Sequence, residues 1–364
     1  MNIFYRLKLA LMSFALEKDK KGPFDSAALD MWKLPEDAGN DINNSWWFGA
    51  YDLEGRSLTL RLGNRNNGMS EVFVMFSDHD GSFYVTEQQL FPQDNAPLRV
   101  KNLIPGRDWR VEFEGELTEQ YTGKRVAASF AFDYTARLPI FYPVKDGDSY
   151  PMAKAFARMK WNRKFFRQLS QSGVGKDGKT YKQVHVEQTG FFKGSMSING
   201  KTISLDMKGA RDRAYGKRDW DFMSQHVWII AATEKGEVLN FSLVSYPHVH
   251  NLNVGYMDFG CDRNYSIHDY KMIHWDHNDG KGPDEMVVDM AFTNGMKYRM
   301  KCRKQHDLFT PFDEGKFYFH ECVGPIEFTR INELGQKECG PSEIKAYGTI
   351  EYGWNRDRSR WNEW

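Results

Sequence analysis

At 364 residues the chain is too long for one small core, so two domains is the natural expectation. Hydrophobic residues at 41% and charged residues at 27% exclude a wholly disordered chain. Lysine plus arginine (49) balance aspartate plus glutamate (49), so no global field favours nucleic acid. No run reaches the roughly 18 apolar residues of a transmembrane segment.

Phe4 to Leu16 is basic and then apolar, in the manner of a leader, but Glu17-Lys18-Asp19-Lys20-Lys21 stands where a small-residue cleavage site belongs. A docked amphipathic arm over residues 1–30 is the expectation. From Trp46 to Pro139 the pattern is strand and turn: Ser57–Leu62, Glu71–Phe76, Trp109–Glu114 and Ala128–Tyr134 alternate polar with apolar. An aromatic content of 15% suits such strands. Residues 150–172 change period. Met152, Phe156, Met159, Phe166 and Leu169 recur at helical intervals, while Lys154, Arg158, Lys160, Arg163, Lys164 and Arg167 supply only positive charge. This basic amphipathic helix is expected to close the end of a barrel, with an anionic ligand or a membrane surface as alternatives. Ser172 to Lys179 reads as an interdomain linker without the spacing of a phosphate loop.

Strands resume at Lys182. Val184–Gln188 and Phe191–Ile198 lead to Asn199-Gly200, a two-residue hairpin turn, and Lys201–Asp206 returns. Val227–Ala231, Val238–Val244, Met286–Phe292, Met296–Cys302, Lys316–His320 and Tyr347–Trp354 continue the theme. Two successive antiparallel barrels or sandwiches are therefore expected.

Charge is densest at Gly209-Ala210-Arg211-Asp212-Arg213-Ala214-Tyr215-Gly216-Lys217-Arg218-Asp219-Trp220. Isolated charges cannot be buried cheaply, so an ion-pair cluster is expected, either stapling the strand or anchoring a ligand. Asp212, lying deeper between the two glycines, is the stronger candidate. His185 and Glu187 share one face of a strand and form a second polar candidate, or are plain outward sheet residues. His248, His250, His268, His274 and His277 lack the partners of a metal site, and no metal is expected. Cys261, Cys302, Cys322 and Cys339 show no C-x-x-C spacing, which points to reduced thiols and a cytoplasmic location.

Val184 to Gln188, the hairpin through Gly200 and Arg211-Asp212-x-x-Tyr215-Gly216-x-Arg218-Asp219-Trp220 resemble the carotenoid 1,2-hydratase-like (hydroxyneurosporene synthase, AttH-type) family. There the pattern runs roughly His-x-Glu-Gln, Gly, then Arg-Asp-His-Ser-Trp/Tyr-Gly-x-Arg-Asp. Asn43-Asn44-Ser45-Trp46-Trp47-Phe48 looks like that family's first strand. The resemblance implies an all-β protein of two consecutive lipocalin-like antiparallel β-barrels with a linking helix. The barrels would span 31–180 and 181–364, the second carrying the arginine motif. The variant with Tyr-Gly-x-Arg-Asp-Trp also looks like the lipocalin-like region of animal phosphoenolpyruvate-synthase-like, or phosphotransferase-like, proteins. Arg213 replaces the family's usual His, Tyr215 its Trp, and Leu239-Asn240-Phe241-Ser242 offers no acid, so hydratase chemistry loses its proton donors.

Three functions follow as expectations. The first is binding of an apolar small molecule, a lipid, isoprenoid or polyketide, near the barrel junction, with Tyr215 and Trp228 as wall. Arg211, Asp212, Arg218 and Asp219 would meet its polar end. The second is cofactor-free isomerase, hydratase or cyclase chemistry with Asp212, Glu187 or His185 as acid or base. The third is a detached region that contacts phosphotransferase-like domains. No cofactor is implied.

Overall fold

The computed structural model describes residues 3–22, 24–87, 89–171, 179, 181, 183–217, 220–275, 282–332, 335 and 343–361. It divides into two units, Phe24–Tyr142 with Gly173–Arg218, and Met1–Pro23 with Pro143–Ser172 and Asp219–Trp364.

The first unit holds β1 (Ile42–Tyr51), β2 (Ser57–Asn64), β3 (Met69–Ser77), β4 (Phe83–Val85), β5 (Leu90–Pro92), β6 (Leu98–Ile104), β7 (Asp108–Glu119), β8 (Arg125–Ala136), β9 (Val184–Ile198) and β10 (Lys201–Lys217). Eight of them close a ring in the order β2-β1-β10-β9-β8-β7-β4-β3, sealed by β2 against β3, while β5 and β6 pair onto β3 and β7. All pairings are antiparallel. Alternation works as the sequence implies: along β8, Val126, Ala128, Phe130, Phe132 and Tyr134 point inward and the residues between them are exposed or half-buried. Phe48, Trp109, Phe132, Tyr134 and Phe192 pack edge-on or tilted in the centre, so this barrel is filled by its own side chains. Asn199 and Gly200 turn β9 into β10 with φ of 50° and 77°, the left-handed pair a two-residue hairpin requires.

The second unit opens with α1 (Ile3–Lys20) and continues through α2 (Pro143–Asp146), α3 (Ser149–Arg158) and α4 (Arg163–Gln171). Its strands are β11 (Gln225–Thr233), β12 (Val238–Tyr246), β13 (Val249–Met257), β14 (Tyr265–Trp275), β15 (Glu285–Phe292), β16 (Lys297–Arg303), β17 (His306–Phe312), β18 (Phe317–Arg330) and β19 (Glu343–Asn355). A second eight-strand ring runs β16-β15-β14-β13-β12-β11-β19-β18 and closes by β16 against β18, with β17 added to β18. Two closed antiparallel barrels are the double lipocalin-like, all-β architecture expected. β13 and β14 are joined by only two pairs, Tyr256↔Ser266 and Met257↔Tyr265. Helix α3, whose Ala153, Ala155 and Ala157 are buried, packs on those two strands.

Two expectations change. The boundary at 180 and the placing of the arginine motif in the C-terminal barrel differ from the observed division. β9 pairs with β8 and β10 with β1, so both belong to the first ring. The single helix over 150–172 is two helices. The chain turns at Met159–Asn162, where Trp161 Nε1 donates to the Phe156 carbonyl at 3.0 Å and Asn162 Oδ1 receives the Phe165 amide at 2.9 Å to start α4. Most of the linker expected at 172–179 lies outside the described residues.

Candidate functional site

Strand β10 carries the motif, and strand geometry sorts it into two faces. Ile203, Leu205 and Met207 belong to the barrel core, so Arg211 and Arg213 point inward at one end of the ring, and Asp212 points out. Gly209 is required by close approach: a Cβ there would meet the Gly49 carbonyl oxygen at 1.9 Å.

Arg211, 1% exposed, makes a two-pronged ion pair with Asp30, Nη1 to Oδ1 at 3.0 Å and Nη2 to Oδ2 at 2.9 Å. Its Nε donates to Gln188 Oε1 at 2.9 Å, and the guanidinium lies 4.9 Å from the centre of the Trp109 ring. Gln188 Nε2 donates to the carbonyls of Gly106 and Leu138 at 2.7 and 2.9 Å, and the Gly106 amide returns to Asp30 Oδ2 at 2.8 Å. The Tyr134 hydroxyl donates to the Gln188 carbonyl, and burial pushes its pKa well up. Asp30 sits in a short 3₁₀ turn, Ala28–Met31, that delivers it to this knot. Arg213 donates to the carbonyls of Ser45, Ala214 and Trp32 at 3.2, 3.0 and 3.3 Å and stacks 4.4 Å from Trp46. Burial lowers its pKa to about 10, with Asp30 the largest opposing influence. Tyr215 is half-buried, edge-on to Trp32 at 5.2 Å. The clamp expected on Asp212 is thus found on Asp30 in the case of Arg211. Asp30 was missed, although an acid within Ala27-Ala28-Leu29-Asp30-Met31 is the signal of a buried charge in need of a partner.

The outward face holds the other candidates. Asp212 and Glu187 are directly opposed in the β9–β10 register. His185 Nε2 lies 3.0 Å from Glu187 Oε1 and 4.0 Å from Asp212 Oδ2. The side chain of His185 is 45% exposed, while those of Glu187 and Asp212 are 4% and 11% exposed. On the next strand Trp47 is the register partner of Asp212, and Trp47 and Tyr51, both buried, crowd over Gly49. A histidine touching one of two adjoining buried carboxylates can hold, accept or pass a proton. Trp228 belongs to the second unit, where it is buried on β11 with its side chain directed away from that barrel's core of Val227, Ile229 and Ala231. Arg218 and Asp219 lie outside the described residues.

Two cavities have volumes of about 350 and 500 Å³. The larger lies between α3 and β14, lined by Lys154, Arg158, Tyr270 and Met272 among others. Neither contains a candidate site residue. His248 stacks against Phe156, Phe222 and Tyr246, and burial lowers its pKa, as suits a core histidine. Cys302 and Cys322 are buried in the second barrel, and burial raises both thiols.

Residues 30–337 match a family model described as a domain of unknown function, DUF7064. The chain belongs to that family. The structure is similar to an AttH-like protein of Nitrosomonas europaea, with 15% identity and a TM-score of 0.50 over 89% of this chain and 97% of that one. It is also similar to CghA crystallised with Sch210972, with 9% identity and a TM-score of 0.50 over 86% of this chain and 88% of that one. At such identities the likeness is one of fold. No curated protein matches. The matches give no support to the expected likeness to phosphoenolpyruvate-synthase-like proteins.

Proposed function

We propose that the protein binds a largely apolar small molecule whose polar end meets His185, Glu187 and Asp212. The observation that carries this reading is the burial of two carboxylates in cross-strand register, with a half-exposed histidine 3.0 Å from one of them. Setting two acids side by side out of water costs hydration and mutual repulsion, which the groups around them must offset. Adjoining buried carboxylates beside a half-exposed histidine suit a place where a ligand is oriented or a proton is moved. Trp47 and Tyr51 lie on the same outward face as packed apolar groups beside the acids. CghA, which has the same architecture, was crystallised with Sch210972.

A second reading, acid–base chemistry without a cofactor, draws on the same adjacency. Two carboxylates of unequal exposure beside one histidine can divide into a proton donor and a proton acceptor. A proton delivered at one carbon and removed from another would isomerise or cyclise a polyene-like chain with no net change in composition. Incubating the purified protein with a hydrophobic metabolite extract distinguishes the two. An unchanged compound recovered from wild type but not from Asp212→Asn or Glu187→Gln supports binding. Time-dependent loss of a compound, stopped by Asp212→Asn, supports catalysis. Equal recovery from all three proteins would overturn both.

A further inference from the structure

The helical part of the second unit has a surface that its own barrel does not cover. On α1, Tyr5, Leu9, Met12 and Leu16 are half-buried on the side that packs along α3, where Lys8 Nζ donates to the Met159 carbonyl at 2.5 Å. At about 100° per residue, Ile3, Phe4, Leu7, Leu11 and Phe14 fall on the other side. These five are 75, 68, 57, 51 and 71% exposed, one third of the fifteen large hydrophobic residues exposed among the described residues. They form one stripe about 16 Å long. A helix apolar on both sides and open to water on one is a contact surface, not a finished surface.

Charge says what the stripe meets. Residues 3–22 and 143–171 contain twelve lysines and arginines against four aspartates and glutamates, in a chain whose totals are 49 and 49. The helical part therefore carries a formal +8, which the rest of the chain balances. Helix α4 has Arg163, Lys164 and Arg167 with no acid, and Phe166 is 53% exposed there. Lys8 of α1 lies 5.6 Å over Trp161, whose ring is 6.1 Å from Phe166, so the apolar stripe and the basic helix are neighbours. A second copy of the chain would bring +8 against +8. An anionic lipid surface meets both the charge and the stripe.

We infer that α1 and α4 seat this protein on an anionic membrane surface, with Ile3, Phe4, Leu7, Leu11 and Phe14 dipping among the acyl chains and the basic residues on the headgroups. It lies on the membrane by these helices and does not cross by them, since no described helix is long and apolar enough to span. The inference is independent of the acid cluster.

Vesicle flotation of the full chain tests it, with phosphatidylcholine alone and with about 30 mol% phosphatidylserine. The protein should float with the anionic vesicles, less so in high salt. Leu7→Glu with Leu11→Glu should lower binding at least about tenfold, and Arg163→Gln with Lys164→Gln and Arg167→Gln about fivefold per charge removed. All five positions are exposed or lie on α1 and α4 outside the barrels, so unchanged melting curves verify that the variants fold. Absence of flotation on anionic vesicles, or flotation unaltered by Leu7→Glu with Leu11→Glu, overturns the inference. So does a dimer that these glutamates convert to monomer without any vesicle binding, which would assign the stripe to a second copy.

Discussion

On its inward side β10 offers Arg211 and Arg213 to the end of a barrel; one residue away, on its outward side, it offers Asp212 beside Glu187. The inward cations are fully enclosed and closely attended, by a carboxylate in one case and by three carbonyls in the other. The outward acids are nearly as buried, yet they adjoin each other and a histidine. The inward cations close one end of the barrel, whereas the outward acids adjoin a histidine that water also reaches.

The comparison breaks first at Arg211. Replacing it with Met leaves Asp30 buried and uncompensated, and urea unfolding should show a loss of about 3–5 kcal/mol. Adding Asp30→Leu to that variant should restore part of the loss, because the orphaned carboxylate is gone, although buried Arg213 then loses its largest anionic influence. Arg213→Met removes a cation whose partners are carbonyls, so about 1–3 kcal/mol is expected. Arg213 also gives a pH effect of known sign. Burial lowers its pKa to about 10, so above that pH the folded chain has released a proton that the unfolded chain still holds. Its contribution to stability therefore rises with pH there, and Arg213→Met should lack that slope in melts between about pH 10 and 12, the window that opens at the folded value.

Glu71 extends the comparison to an acid held between two guanidinium groups. Burial pushes its pKa up, but Arg61 and Arg65 at 2.9 Å outweigh that and hold it at about 2. Its folded pKa is depressed, so its stabilisation is present above the ordinary glutamate range and is lost as pH falls toward 2. Acid titration of unfolding should show about 1–2 kcal/mol of this, absent in Glu71→Gln. The smallest effect belongs to the outward acids. Asp212→Asn and Glu187→Gln remove like charges from a buried site and should change stability by no more than about 1 kcal/mol, in either direction.

Much of this was legible in the letters. Alternation in Ala128–Tyr134 marks β8, and Asn199-Gly200 marks the β9–β10 hairpin, because both are local. Ring closure is not local: β1 meets β10 through pairs such as Asn44↔Tyr215, which no window of sequence contains, so local pattern does not assign the motif to a barrel. Period two by itself separates Asp212 from Arg211 and Arg213, and it joins His185 to Glu187. Reading the segment as a single charge cluster hid the first of these. The partner of Asp30 lies 181 positions away, beyond the reach of any local pattern. The split of α3 from α4 depends on Asn162 acting as a cap, a residue that helical periodicity passes over.

The most direct test measures melting temperature and compound capture from a hydrophobic extract on the same samples of wild type, Arg211→Met and Asp212→Asn. The expected result is separation of the two properties: Arg211→Met melts early, whereas Asp212→Asn melts with wild type and captures nothing. An Asp212→Asn protein that captures the same compound as wild type would contradict the assignment of function to the outward acids.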